Sequence, residues 1–368
     1  MMFYLWIMFF LFICIIVFFF FKKVYIRTST MAIVMAIGIF TQGVLLNYFG
    51  ADLFQHSLGK TLSIMNLSIW FAFILSFFIA LFDGKFKDIH YSNPINRFGM
   101  GTWVAGTSIC GILFFKQFSK WGYISEIIAL TNIVLWVIYI AISLKTLVEI
   151  YRTKSYRNVH GILLLTTVST QSNVLLFNTV FKGFPTILNL SLLSIGFCLY
   201  IICFFFIIKR YIKSSWSIEE DWNNTNCILH GALSISGIAC LVAGIINMDS
   251  IRYIWRAAFL IFLIVESIEM YRFFRRIKHY GFKNGIFIYD VTQWSRIFTF
   301  AMFYTFTSLF HTHLFIGSFV IDPILNMGVW IIILLLIIEL MLGLRFMIET
   351  YKKSSTEYTQ KNKATSPF

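Results

Sequence analysis

Stretches of about twenty consecutive apolar residues recur along this chain, and that recurrence leaves few folds open to it. They lie at 1–21, 31–48, 62–82, 98–115, 124–147, 161–181, 187–208, 227–246, 251–273, 296–315 and 324–347. A run of that length spans the hydrocarbon core of a bilayer as a helix, whose backbone polar groups are satisfied within the segment. The expectation is an all-α integral membrane protein with about eleven transmembrane helices. Composition agrees, because 59% apolar and 12% charged residues leave too little polar surface to coat a soluble globule.

Other composition features constrain less. A net charge of +14 would suit nucleic acid, but the Lys and Arg residues sit in short loops between apolar runs, where they set topology. No nucleic-acid partner follows. Cys14, Cys110, Cys198, Cys203, Cys227 and Cys240 stand singly, without metal-ligand or redox spacing, and read as small packing residues. Neither a metal nor a cofactor is expected.

Segments following the odd-numbered runs hold 20 Lys and Arg, among them Lys22, Lys23 and Arg27, whereas those following the even-numbered runs hold 4. The richer side should be cytoplasmic. That puts the N-terminus outside and the C-terminus in the cytoplasm of a multi-pass cell-membrane protein. Residues 1–28 then form a lead-in span and basic loop, 29–350 a ten-helix domain of five hairpins, and 351–368 a polar cytoplasmic tail. The first run has neither a basic leader nor a small-residue cleavage site, so an uncleaved anchor is expected. Four return helices end on a tyrosine beside basic residues, at Tyr151, Tyr211, Tyr271 and Tyr351, spaced 60, 60 and 80 residues apart. Tyr and Arg gather at any membrane interface, yet the spacing suggests a repeated two-helix unit.

If five hairpins surround an axis, one helix of each lines it, and small and hydroxyl residues belong there. The outgoing helices carry them. Gly101, Ala105 and Ser108 share a face of the fourth run, and His230, Ser234 and Gly237 lie on one stripe of the eighth. The sixth holds Thr166, Thr167, Ser169, Thr170, Gln171, Ser172 and Asn173 at mid-membrane depth. Such stripes commonly serve helix packing, and hydroxyls commonly bond back to their own backbone. Seven polar side chains in eight residues exceed what packing needs, and the segment is the strongest pointer to a solute path.

The deepest charges, Lys145, Glu266, Glu269 and Glu339, all fall on return helices. Lys145 and Glu149 are spaced to pair, while Glu266 and Glu339 are candidates for proton coupling. Arg296 and His230 lie near span ends and read as interface anchors or weak anion attractors. An enzyme is not expected: His311 and His313, two apart, would point to opposite helix faces, and no nucleophile or phosphate loop accompanies them.

Three stretches resemble the tellurite-resistance and dicarboxylate transporter family, which includes bacterial TehA and the plant slow-type guard-cell anion channels. Asn93-Pro94 followed by Phe98-Gly99-Met100 is similar to the proline-led start of that family's third helix. Val168-Ser169-Thr170-Gln171-Ser172 resembles its fifth helix, and Gln293-Trp294 through Phe298-Thr299-Phe300 its ninth. The likeness covers residues 31–350. It implies a quasi-five-fold ring of hairpins around a central pore for small anions, inorganic, oxyanion or dicarboxylate. It also implies a homotrimer, and a plugging phenylalanine at Phe300 with Thr299 beside it on the pore wall. The chain departs from the family in its extra N-terminal span and in having only Pro94, Pro185, Pro323 and Pro367. Glycines would have to bend the second, fourth and eighth spans. The remaining possibility is a membrane subunit or scaffold that moves no solute.

Overall fold

The computed structural model describes residues 2–314 and 317–365, without the side chains at 2, 5, 284 and beyond 349. The end of the tenth run, at Phe315, and most of the expected tail's detail therefore lie outside the described residues. All regular structure among the described residues is helical. The principal helices are α1 (Met2–Lys22), α2 (Thr28–Gln55), α3 (Ser57–Phe82), α4 (Pro94–Gln117), α5 (Gly122–Thr153) and α6 (Leu165–Val180). There follow α7 (Thr186–Lys213), α8 (Ile228–Ala243), α9 (Met248–Ile286), α10 (Gln293–Phe310) and α11 (Gly328–Thr365). A short helix, Ser318–Asn326, precedes α11.

Among the described residues, seven helices are long and apolar enough to cross a membrane. The described apolar stretch of α1, Trp6–Lys22, is shorter than that, while α6, α9 and α10 fall outside the measure by length, charge or polarity.

The even-numbered helices form a closed ring. α2 packs on α4, α4 on α6, α6 on α8, α8 on α10, and α10 returns to α2. Glycines make several of these contacts close: a Cβ on Gly38 would overlap Ile109, one on Gly43 Thr305, and one on Gly231 Thr299. The odd-numbered helices stand outside the ring, with α5 against α4 and α6, α7 against α6 and α8, and α9 against α8 and α10. Burial follows this order, since the apolar window of α4 is 94% buried and that of α5 only 22%. α1 lies outermost on α3, where Phe12 and Phe71 stack at 4.2 Å.

The chain repeats a local device at the start of four ring helices. Asn93, His160, Asn223 and Asp290 each accept a hydrogen bond from the backbone N–H two residues on, satisfying a donor that the helix start leaves free. These caps are 67, 63 and 67 residues apart. The tyrosine spacing reflects the same repeat less regularly, and Tyr351 lies beyond the described side chains.

Loops sort to two ends. Lys23 pairs with Asp83, Arg97 with Glu149, His160 with Thr225 and Arg210 with Asp221, which gathers the loops after α1, α3, α5 and α7 at one end. Gln117 reaches the Phe54 carbonyl and Arg252 the His313 carbonyl at the other. The ring helices consequently run parallel, with all their N-termini at the basic end.

Bends differ from the sequence expectation in one helix. α2 contains a π turn at Phe40–Leu45 and turns at Gly50, whose φ of +86° suits glycine alone, and α4 is interrupted between Phe98 and Gly101. α8, by contrast, is continuous. Its Gly231 and Gly237 let α10 approach, and a Cβ on Gly237 would overlap Phe306.

Candidate functional site

Contacts between neighbours fix the phase of each ring helix, and at 3.6 residues per turn they leave certain side chains facing inward. These are Ala105 and Ile112 of α4, Val168 and Ser172 of α6, Ile235 of α8 and Met302 of α10. All are buried, with Ala105, Val168 and Ile235 wholly so. The side chains so placed are apolar except for Ser172, and none is more than 6% exposed.

The polar segment of α6 faces chiefly sideways and outward. Thr170 accepts from Trp136 Nε1 at 2.9 Å, and Asn173 Oδ1 from Asn132 Nδ2 at 3.0 Å, both from α5. Thr167 donates to the Gly196 carbonyl at 3.2 Å and Gln171 Nε2 to the Leu193 carbonyl at 3.3 Å, both on α7. Thr166 and Ser169 bond back within their own helix or its leading turn. Ser172 meets Ser108 of α4 at 3.0 Å. The hub is Asn132, whose Nδ2 lies within hydrogen-bond range of Asn173, of Ser108 at 2.8 Å and of the Val104 carbonyl at 3.1 Å. Sequence reasoning passed over it, although a lone Asn in the apolar run 124–147 was the signal available. On α4, Gly101 makes room for the Tyr139 hydroxyl and for Leu165.

A charged cluster occupies the seam where α8, α9 and α10 meet. His230 of α8 is wholly buried, with Nε2 3.7 Å from Glu266 Oε1 of α9, beyond hydrogen-bond length. Arg296 of α10 reaches both acids of α9, with Nη2 2.6 Å from Glu269 Oε1 and Nε 4.0 Å from Glu266 Oε2. Glu269 also accepts from Trp222 Nε1 at 2.9 Å and lies 3.5 Å from Arg272, which donates to Asn224 Oδ1 at 2.6 Å. Spacing of three residues sets Glu266, Glu269 and Arg272 on one face of α9. Two guanidinium groups thus oppose two carboxylates, as burial of charge requires.

The aromatic rings of Phe262, Phe300 and Phe303 stand 5.0, 6.1 and 6.5 Å from the His230 ring, and Phe262 and Phe300 are 5.1 Å apart. Phe300 therefore lies on the face of α10 turned to α9, roughly opposite Met302 on the helix. Thr299 donates to the Arg296 carbonyl at 3.0 Å and sets its methyl against Gly231, while Ser234 donates to the His230 carbonyl at 2.9 Å. The structure so brings His230, Glu266, Thr299 and Phe300 together. Arg296, read from sequence as an interface anchor, joins them as a half-buried ion-pair partner. Glu339, on α11, is buried with Oε1 lacking a hydrogen-bond partner and takes no part in the cluster. Compared with models of protein families and with curated proteins, the chain matches none.

Proposed function

We propose that the chain crosses the bilayer eleven times, basic end in the cytoplasm, and passes small anions through the ring of five parallel helices, as the resemblance to the tellurite-resistance and dicarboxylate transporters implies. The observation that carries this reading is the closure of the ring, α10 onto α2, with every ring helix pointing the same way. Each helix has a partial positive charge at its N-terminus, so five aligned dipoles and the Lys and Arg of the surrounding loops make one mouth attractive to anions. Among the described side chains assigned to the interior none is charged, which suits weak binding and rapid release. The apolar constriction around Ile235 and Met302 would hold the path shut by dewetting.

Flux into proteoliposomes with a panel of inorganic anions, oxyanions and dicarboxylates, under imposed potential, tests the reading. Selective anion entry supports it, and an inert bundle at every potential would return the protein to the scaffold class, which the buried, mostly apolar side chains facing inward equally fit. Reporter fusions in the loop after α1, at 151–160 and at the C-terminus should all report cytoplasm; an external C-terminus would overturn the crossing number.

A further inference from the structure

We infer that His230 and Glu266 form a proton-binding site whose occupancy governs anion passage through the adjoining ring. This deepens the transport reading and rests on it.

Charge counting comes first. Arg272 and Arg296 offset Glu266 and Glu269, so the cluster is neutral when His230 is uncharged. One proton added to His230 leaves a net single positive charge. His230 lacks a hydrogen bond at both ring nitrogens, and Glu266 lacks one at Oε1. The enclosed imidazole and the carboxylate oxygen facing it, 3.7 Å apart and both without a partner, leave a place for one proton between them. A shared proton would draw the two atoms from 3.7 Å to about 2.8 Å, the length of a charge-assisted hydrogen bond, and tighten α9 against α8.

The site has an approach. Side chains of Glu266 and Arg296 are 19% and 16% exposed, whereas that of His230 is wholly enclosed, so a proton arrives through Glu266. Other titratable or charged groups around the seam are already engaged. Tyr211 of α7 accepts from Asn226, Asp290 lies at the start of α10 near Asn224, and Arg276 donates to the Glu219 carbonyl. The Cys227 thiol, in the turn leading into α8, is wholly buried.

Coupling follows from position. His230 and Arg296 belong to ring helices α8 and α10, and the rings of Phe262 and Phe300 stand against that of His230. Positive charge gained there, in a low dielectric, favours an anion in the adjacent path, and the two would move together.

The test uses the full chain in liposomes at fixed potential. Anion flux should rise as pH falls from about 7.5 to 5.5, by at most about tenfold per unit for one bound proton, and protons should accompany the anion. His230→Gln should abolish that pH dependence, and Glu266→Gln should shift it along the pH axis. Independently of transport, spectra of isotope-labelled histidine, assigned by loss of a signal in His230→Gln, should show His230 titrating within that range, with Glu266→Gln displacing the midpoint. A His230 signal that never titrates, or pH dependence retained in folded His230→Gln or left unshifted in folded Glu266→Gln, would overturn the proposal. Should the parent pass no anion at any pH, the transport reading and coupling fall together, while the spectra still decide whether the pair binds a proton.

Discussion

Asn132 Nδ2 lies 3.0 Å from Asn173 Oδ1 and 2.8 Å from Ser108 Oγ, so one amide of an outer helix reaches two adjacent ring helices. With no water to replace a lost partner, the polar groups of α6 depend on it. Asn132→Ala should destabilise the folded protein by about 1–3 kcal/mol, the cost of stranding a buried polar group. Thermal unfolding in detergent measures this. Asn132→Ala combined with Asn173→Ala should cost less than the two single changes added, and simple additivity would deny the pair its coupling.

Ring closure at α2 and α4 depends on Gly38. A Cβ there would overlap Ile109 Cγ2, while Ile109 Cβ stays at an ordinary 3.6 Å. Gly38→Ala should therefore destabilise by about 1–3 kcal/mol through overpacking. Ile109→Ala alone should also cost about 2–5 kcal/mol through its cavity. The double variant should be more stable than the sum of the two losses, because Ile109→Ala removes the tighter of the two overlaps at Gly38 and leaves only Asn66 Nδ2, at 2.9 Å. Melting temperatures of the four proteins decide it, and a double variant at or below additive stability would place the contact elsewhere.

Much of this architecture is legible in the residues, since apolar runs and alternating basic loops follow from bilayer thickness and charge alone. The parallel direction of the ring helices is already implicit in that alternation. The polar stretch of α6 shows the limit. Hydroxyls and amides at mid-depth announce that partners exist, but the rotation of a helix about its axis decides whether they face a lumen or a neighbour. That rotation is set by contacts far apart in sequence, such as Thr170 with Trp136. Arg296 is a similar case: near a span end it has the pattern of an interface anchor, and only the fold brings it to Glu266 and Glu269.

Two loop histidines make stability depend on pH. Burial, with a smaller contribution from the Arg210 guanidinium, pushes His160 down to about 3, and burial pushes His90 down to about 4. His160 Nδ1 caps α6 by accepting from the Ile162 N–H, which a protonated nitrogen cannot do. An unfolded histidine binds its proton near pH 6.5, so the unfolded state holds more protons below that value. The stabilisation is complete above about pH 6.5 and is lost as pH falls toward 4 and then 3. Melting temperature should drop across this window. His160→Asn supplies the acceptor that Asn93 and Asn223 provide at the corresponding caps, and should flatten the dependence while leaving neutral-pH stability nearly unchanged. A parent whose melting temperature is constant from pH 7 to pH 4 would contradict the assignment of both histidines as neutral and buried.

The position of the barrier distinguishes Met302 from Phe300. Both lie near the middle of α10, but Phe300 packs on Phe262 and His230 at the α8–α9 seam, whereas Met302, only 1% exposed, shares the inward face with the constriction that includes Ile235. An apolar side chain blocks ions by excluding water, so shortening the one on the axis should admit water and raise basal anion conductance. Met302→Ala should do so at a stability cost of about 2–5 kcal/mol. Phe300→Ala should leave basal conductance at neutral pH near that of the parent, because its ring stands against that of His230 at the charged seam and not at the lumen. Planar-bilayer recordings of both folded variants compare them directly. Conductance raised by Phe300→Ala and unchanged by Met302→Ala would put the plug where the family resemblance expects it and would overturn the helix phase deduced for α10.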